Sequence, residues 1–209
     1  MFFNAEAYDR YMGRWSRHLA PRILEFAGIT EGSRVLDLGT GTGSLALTVA
    51  AALPRTEVVG IDASAAHVGY ARTRAADPRL QCVAGDAQAL PFHRACFDAC
   101  MASLVINFIP DAHLAVAELH RVTRPGEIIA ACVWDYREGI DMLRLFWDVA
   151  VALDHAAAEL HEGRMPYCQS GQLSARWRES GLQHVEETGL TIARNFVSFE
   201  DFWAPFLEG

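Results

Sequence analysis

The sequence predicts an α/β protein with a Rossmann-like, doubly wound and mostly parallel sheet. Short apolar segments such as 34–38 and 57–61 alternate with single amphipathic or apolar helices. Each of these segments ends at a glycine or an aspartate, as at Gly39 and Asp62. Strands that are apolar on both faces and separated by single helices are typical of a parallel sheet covered by helices on both sides.

The elements follow in order along the chain. Residues 4–27 are predicted to be helical, with a break or kink near Gly13 and Pro21. The predicted strands are residues 34–38, 57–61, 80–84, 97–106, 127–134 and, as the sixth, 183–194. The predicted helices are residues 44–53, 65–76, 111–122, 138–161, 170–180 and 198–207, with Asp111 as one N-cap and a capping box from Ser198 to Asp201.

Composition excludes several classes of function. The 209 residues carry a formal net charge of -8, and all 18 basic Lys+Arg positions are arginine. Without lysine, Schiff-base chemistry and a phosphate-loop lysine are excluded. An acidic chain also lacks the clustered cations that nucleic-acid binding requires.

The spacing of the cysteines and the length of the apolar runs indicate where in the cell the protein is expected. The five cysteines include no C-x-x-C pair, and no signal peptide is seen. No apolar run reaches the roughly 18 residues of a membrane span. We therefore expect free thiols, a cytoplasmic location and no membrane span. No metal is expected either, because no residues show a typical metal-ligand spacing.

The first strand-to-helix turn carries the main chemical signal. Glycines at 39, 41 and 43 allow a tight turn and a close approach of the backbone to a ligand. The helix that begins near Ser44 presents unpaired N–H groups to the same ligand. Asp62 follows the second strand, where a carboxylate can accept hydrogen bonds from ribose hydroxyls. A nucleoside-containing cofactor is the expected ligand.

The glycine pattern alone leaves the cofactor ambiguous. From Gly41 to Ala46 the run G-T-G-S-L-A also satisfies the nicotinamide fingerprint. Asp37 precedes the first glycine by two residues, and its charge suits a cationic amino-acid group better than a diphosphate. Asp86 follows the third strand and is placed to accept a hydrogen bond from an adenine amino group. These two acids favour an aminoacyl nucleoside.

Five segments together resemble the class I S-adenosylmethionine-dependent methyltransferases, in particular the bacterial group that methylates quinones and small molecules. They are VLDLGTGTG (35–43), VVGIDAS (58–64), AGDAQALPF (84–92), FDACMASLVINFIPD (97–111) and RVTRPGEIIAACVWD (121–135). The sequence departs from the common pattern at Thr40, where cysteine is frequent, and at Glu127, where a second glycine is frequent.

The resemblance implies roles for individual residues. The implied contacts to S-adenosylmethionine are Asp37, Gly39, Thr40, Gly41 and Gly43 near the methionine part, Asp62 at the ribose, Ala63, Asp86 and Ala87 at the adenine, and a backbone carbonyl of Ser103 or Leu104 at the ammonium. Tyr11, Met12, Arg14 and Trp15 would belong to an N-terminal lid, and Tyr11, Arg14 and Trp15 are expected to contact the cofactor.

The implied activity is methyl transfer to a small, partly apolar acceptor by in-line displacement. No residue is a clear general base, and the candidates are Tyr11, His18, Asn107, His113 and Tyr136. A NAD(P)-dependent oxidoreductase and a non-catalytic cofactor-binding protein remain as alternatives. A monomer or a homodimer is expected, with a small-molecule acceptor and no nucleic acid as partner.

A single domain is expected over residues 1–209. Its predicted parts are an N-terminal helical lid (1–30), a cofactor-binding core (31–136), a helical substrate cover (137–181) and a last strand with a short helix (182–209). Class I sheets usually end with an antiparallel seventh strand, and we expect residues 1–209 to form no such strand. We expect a six-stranded sheet with a gap or an edge that a partner could fill.

Overall fold

The computed structural model describes residues 4–160 and 162–207. The strands of its sheet are β1 Arg34–Leu38, β2 Glu57–Asp62, β3 Leu80–Ala84, β4 Phe97–Ser103 and β5 Thr123–Cys132. All neighbours are parallel and the order is β3-β2-β1-β4-β5. The strand order reverses between β1 and β4, so a ligand crevice is expected at the carboxyl ends of these two strands. The predicted doubly wound α/β class is confirmed.

Helices cover both faces of the sheet. They are α1 Ala5–Tyr8, α2 Arg14–Ala27, α3 Ser44–Ala52, α4 Ala65–Arg74, α5 Ala112–Val122, α6 Asp141–Leu153, α7 Gln172–Glu179 and α8 Phe199–Trp203. Helices α2, α3 and α4 pack on one face, and α5 and α7 pack on the other.

The alternation of side chains along β1 divides the core in two. Val35 packs with the cluster of α2, α3 and α4, whereas Leu36 and Leu38 pack with the cluster of α5 and α7. Burying each of these side chains stabilises the fold by about 1.5–3 kcal/mol. Because the period of a strand is two, Asp37 points to the same face as Val35, toward α3.

The N-terminal segment is irregular at the break expected near Gly13 but continuous at the one expected near Pro21. Between α1 and α2 the chain forms one π-helical turn, Asp9–Gly13. Helix α2 continues through Pro21 to Ala27 and ends at Gly28, which has a left-handed backbone. The proline removes one backbone donor, but the buried face of α2 that includes Leu19 and Ile23 keeps the helix in place.

Several boundaries in the later part of the chain were also wrong. Strand β4 ends at Ser103, because Leu104 has a φ of +58° and cannot extend the strand. Strand β5 includes the expected turn at 124–126, where its register with β4 shifts. The long helix predicted over 138–161 ends at Leu153, since Asp154 is extended and caps the 3₁₀ turn His155–Glu159.

The predicted sixth strand over 183–194 is wrong, and so is the six-stranded sheet. Residues 183–194 form no ladder, and the described sheet has five strands. A cavity of about 1560 Å³, lined by β5 and by residues 181–191, lies beside the edge of the sheet. A strand needs a partner about 4.8 Å away, and residues 183–194 pair with no strand of the described sheet.

Candidate functional site

The glycine turn leaves β1 and enters α3 at the carboxyl edge of the sheet. Gly39, Gly41 and Gly43 all have positive φ values, of +69°, +52° and +88°. The backbone N–H groups of Gly39 and Thr40 donate to the carbonyl of Ile61, with distances of 2.8 and 3.0 Å. The turn is therefore fastened to the end of β2.

Two of these glycines serve different purposes. A Cβ at position 39 would lie 2.3 Å from the nearest side-chain atom of Val105, so Gly39 allows the segment after β4 to pack against the turn. A Cβ at position 41 would meet only Tyr8 and a backbone oxygen, at 3.9 and 4.0 Å. Gly41 therefore leaves room for a ligand to approach the backbone.

Asp62 links the end of β2 to the glycine turn. Its Oδ2 accepts a hydrogen bond from the N–H of Gly41 at 2.9 Å, and its Oδ1 accepts one from the N–H of Ser64 at 2.8 Å. The side chain is partly exposed at the edge of the sheet. A carboxylate held in this way keeps further lone pairs available to ligand hydroxyl groups.

Asp37 is the buried acid of the site. Thr40 Oγ1 and the N–H of Ala46 donate to its Oδ2, at 2.7 and 3.1 Å. Its Oδ1 is buried and has no hydrogen-bond partner among the described residues. Burial raises the pKa of the Asp37 carboxyl to about 7, although the two hydrogen bonds oppose this rise. An orphaned carboxylate oxygen of this kind is suited to a cationic or hydrogen-bond-donating ligand.

Asp86 lies at the end of β3 and is exposed. The side chain and the backbone N–H of Gln88 donate to Oδ1 of Asp86, at 3.0 and 2.8 Å. These hydrogen bonds hold the pKa of the Asp86 carboxyl below its ordinary value. Ala63 is exposed next to Asp62, and Ala87 is partly buried next to Asp86.

The end of β4 contributes backbone groups. The Leu104 N–H donates to the carbonyl of Cys132 at 2.8 Å, and Ser103 Oγ lies 3.4 Å from Cys132 Sγ. Leu104 is in the left-handed region, which costs an L-residue about 1–2 kcal/mol. The predicted acids and glycines of β1, β2, β3 and the residues that end β4 thus lie at one edge of the sheet.

Three of the four predicted lid residues, Tyr11, Arg14 and Trp15, contact residues 196–206 near the C-terminal end of the described chain. Arg14 donates to the carbonyl of Asp201 at 3.0 Å and to its carboxylate at 3.4 Å. The Trp15 ring lies 6.0 Å from the ring of Phe196, and the Tyr11 ring 4.9 Å from that of Phe206. Their role as cofactor contacts stays a prediction.

Tyr8 is a site residue that the sequence reasoning missed. Its ring centroid lies 5.0 Å from that of His67 in α4, and its Cε1 lies near Gly41. Burial raises the pKa of the Tyr8 hydroxyl, and the carboxylates of Asp62 and Asp9 raise it further. Tyr8 lies within the predicted lid, about one helical turn before Tyr11, and nothing in the sequence separates it from an ordinary packing residue.

The candidate general bases lie in different environments, and none has a geometry that singles it out. His18 and His113 are exposed, and His113 contacts Arg176. Asn107 is buried after β4, where its Nδ2 donates to Met165 Sδ at 3.4 Å. Tyr136 is buried after β5.

Within the described residues, neither a membrane-spanning helix nor a metal-binding cluster is found. No helix in them combines the length and apolar character needed to cross a bilayer. No three histidine, cysteine or acidic side chains come together there in a way that could hold a metal ion.

A Rossmann-like sheet with a glycine turn and acids at successive strand ends defines a nucleoside-cofactor-binding protein. Residues 35–126 match the family model described as "Methyltransferase domain". Together with the fold, this match confirms the predicted resemblance to the class I S-adenosylmethionine-dependent methyltransferases, a family whose cofactor is S-adenosylmethionine.

Similar proteins include two curated enzymes and one solved structure. The chain is 35% identical over 127 residues to the malonyl-[acyl-carrier protein] O-methyltransferase of Pectobacterium atrosepticum, covering 60% of this chain and 48% of that protein. It is 38% identical over 115 residues to the demethylmenaquinone methyltransferase of Thermus thermophilus, covering 54% and 50%. The crystal structure of the [4+2]-cyclase SpnF matches with a TM-score of 0.61 and 26% identity, covering 79% and 56%. The chain spans about half the length of the curated relatives it matches.

Proposed function

We propose that this protein transfers the methyl group of S-adenosylmethionine to a small, partly apolar acceptor by in-line displacement. The observation that carries the proposal is the row of acids at the ends of β1, β2 and β3. Among them, the buried Oδ1 of Asp37 beside the glycine turn has no hydrogen-bond partner within the described residues. A diphosphate would be repelled by this row, whereas a cationic aminoacyl nucleoside is attracted.

The residues of the site fit the cofactor part by part. Asp37 and the glycine turn, including Thr40, would hold the methionine part, and a carbonyl of Ser103 or Leu104 would accept from its ammonium group. Asp62 would accept from the ribose hydroxyls. Asp86, with Ala63 and Ala87, would contact the adenine. The surroundings of Gly41 support this assignment, because a Cβ there would meet no atom closer than 3.9 Å.

The sulfonium of the bound cofactor supplies an already activated methyl group. The chain's own residues then have two tasks, which are to orient the acceptor and to exclude water. Aromatic side chains can orient the acceptor and exclude water. Tyr11 of the π-helical turn contacts Phe206, and both Phe206 and Trp147 of α6 contact Phe146. A base is required only where the acceptor loses a proton.

The side chains that follow the carboxyl end of β5 support an acceptor that is partly apolar. Trp134, Tyr136 and Met165 belong to one apolar cluster that follows the carboxyl end of β5. Buried Asn107 contacts Met165, and its Oδ1 has no partner among the described residues. We assign Asn107 to orienting a polar group of the acceptor, and residues 137–181 to the substrate cover.

The proposal also covers the partners of the protein, its compartment and its oligomeric state. The acidic net charge of -8 supports a small-molecule acceptor and no nucleic-acid partner. The five cysteines are all free thiols, which supports a reducing compartment such as the cytoplasm. We propose a monomer or a homodimer.

The alternatives differ in what they require of the site. A nicotinamide oxidoreductase using Gly41, Gly43 and Ala46 is not favoured, since Asp37 suits a cation. A cofactor-binding protein without methyl transfer is the second candidate, because SpnF, which is a [4+2]-cyclase, shares the fold.

The experiment is a screen for acceptors. Wild-type protein is incubated with S-adenosylmethionine and a panel of quinols, catechols, amines and carboxylates, and release of S-adenosylhomocysteine is measured. The proposal predicts acceptor-dependent release with at least one apolar class. Binding of the cofactor with zero release across the panel would favour the non-methylating candidate.

A further inference from the structure

Asp9 joins three separate elements beside the glycine turn. Its Oδ1 accepts a hydrogen bond from Thr42 Oγ1 at 2.9 Å, and it also accepts from Arg74 of α4 at 3.1 Å. Arg17 of α2 lies 2.9 Å from both carboxylate oxygens. The carboxylate is mostly buried, so solvent screens these contacts less than it would an exposed ion pair.

The π-helical turn creates the space for this carboxylate. Gly13 lies four residues after Asp9, and a Cβ at position 13 would come within 2.3 Å of Asp9 Oδ1. The wider π turn and the missing side chain therefore let Asp9 turn inward. Single π turns are uncommon in helices and occur frequently at functional sites.

Arg74 extends the link to the backbone of the glycine turn. Its guanidinium donates both to Asp9 and to the carbonyl of Thr42, the latter at 3.1 Å. Thr42 is thus held through its hydroxyl group and through its carbonyl. The position of the turn between Gly41 and Gly43 is coupled to the position of the N-terminal segment.

The residue before Asp9 reaches the cofactor site itself. The Tyr8 ring lies against His67 and near Gly41. Helix α1 has only four residues, and a helix this short is not stable without tertiary contacts. The attachment of Tyr8 to the core therefore depends on neighbours such as Asp9.

We propose that Asp9 is a positioning residue that fastens segment 5–13 to the glycine turn and so holds Tyr8 over the cofactor site. The proposal rests on the proposed function, because it takes S-adenosylmethionine as the ligand under Tyr8. Segment 5–13 must separate from the turn before the cofactor leaves. The Asp9 contacts then control the dissociation rate of the cofactor more than its association rate.

The test is surface plasmon resonance with S-adenosylhomocysteine on the full chain. Asp9→Asn removes the charge, and Thr42→Val removes the hydroxyl donor. We expect each change to raise the dissociation rate about tenfold or more, with the association rate changed less than about threefold. The two effects should add to less than their sum in the double variant, because both changes weaken the hydrogen bond between Asp9 and Thr42.

Hydrogen exchange gives a readout that a general loss of stability does not reproduce. S-adenosylhomocysteine should protect the amides of residues 5–13 in the wild type and protect them much less in Asp9→Asn. Glu31→Gln is the matched control, since Glu31 pairs with exposed Arg55 away from the site. It should leave both the rates and the protection unchanged.

Each outcome decides one question. Wild-type protein that binds no S-adenosylhomocysteine contradicts the proposed function. Wild-type binding with unchanged dissociation from Asp9→Asn and Thr42→Val overturns the role of Asp9 and leaves the function standing. If Asp9→Asn does not fold, Arg74→Met replaces it, with the same expected rise in dissociation rate.

Discussion

The carboxylate of Asp62 accepts a hydrogen bond from the backbone N–H of Gly41, with 2.9 Å between Oδ2 and N. This contact joins the end of β2 to the middle of the glycine turn, 21 residues earlier in the chain. The acid therefore both shapes the turn and faces the ligand, so its charge contributes to the site in two ways.

The first prediction concerns this acid. Asp62→Asn keeps the size of the side chain but removes the charge that accepts from Gly41 and from ribose hydroxyls. We expect S-adenosylhomocysteine affinity to fall at least tenfold, because a hydrogen bond to a charged group is worth about 1.5–3 kcal/mol. Isothermal titration calorimetry measures this change. Glu57→Gln, at the opposite end of β2, is the control, and equal affinities of the two variants would contradict the prediction.

The second prediction concerns the pH dependence of stability. The pKa of Asp37 is about 7 in the folded protein and near 3.8 when unfolded, so between these values the folded form binds a proton that the unfolded chain has lost. The contribution of Asp37 to stability is therefore full below about pH 4 and is lost as the pH rises to 7, with a slope of up to about 1.4 kcal/mol per pH unit.

Asp37→Asn tests this dependence because it cannot titrate and still accepts hydrogen bonds from Thr40 and Ala46. Urea unfolding of the cofactor-free protein from pH 5 to 7 should show a smaller loss of stability in the variant. Identical slopes in the two proteins would show that Asp37 ionises in the ordinary range.

The third prediction compares the acids at the two ends of β3. Asp86→Asn should weaken S-adenosylhomocysteine binding about threefold to tenfold, since one hydrogen bond contributes about 0.5–1.5 kcal/mol. Asp77→Asn should leave binding unchanged, although Asp77 pairs with Arg79 and its loss can lower the melting temperature. Calorimetry and thermal unfolding separate the two effects. Full binding by Asp86→Asn would remove Asp86 from the adenine site.

The fourth prediction concerns the contact between Arg14 of α2 and Asp201 of α8. Arg14→Met removes the contacts of Arg14 with Asp201, which are partly buried. We expect amides of residues 199–207 to exchange about 5–30 times faster, corresponding to about 1–2 kcal/mol of local stability. Arg144→Met removes a more exposed ion pair with Asp141 and should have little effect. Loss of cofactor affinity without faster exchange would instead support the predicted cofactor contact of Arg14.

The sequence predicts those residues of the site whose positions follow from a few neighbouring residues in the chain. Gly39, Gly41 and Gly43 are required by positive φ values within one turn, and Asp62 follows a strand whose apolar pattern is plain. Parallel strands bring their carboxyl ends to one edge of the sheet. Residues that follow successive strands are therefore expected to lie together.

The missed features depend on residues that are distant in the chain. Arg14 has its partner Asp201 187 positions away, and Asp9 reaches Thr42 across 33 positions. The π-helical turn that makes room for this inward contact has no signature in the local hydrophobic periodicity. The strand expected at 183–194 has strand-like residues but no neighbour to pair with, and propensity without a partner gives no ladder.

The identity of the cofactor is tested most simply by calorimetric titration of the wild-type protein with S-adenosylhomocysteine and, separately, with NADH. We predict saturable binding of S-adenosylhomocysteine at one site per chain, lost in Asp62→Ala, and no binding of NADH. Binding of NADH without S-adenosylhomocysteine, or unchanged S-adenosylhomocysteine binding by Asp62→Ala, would contradict this prediction.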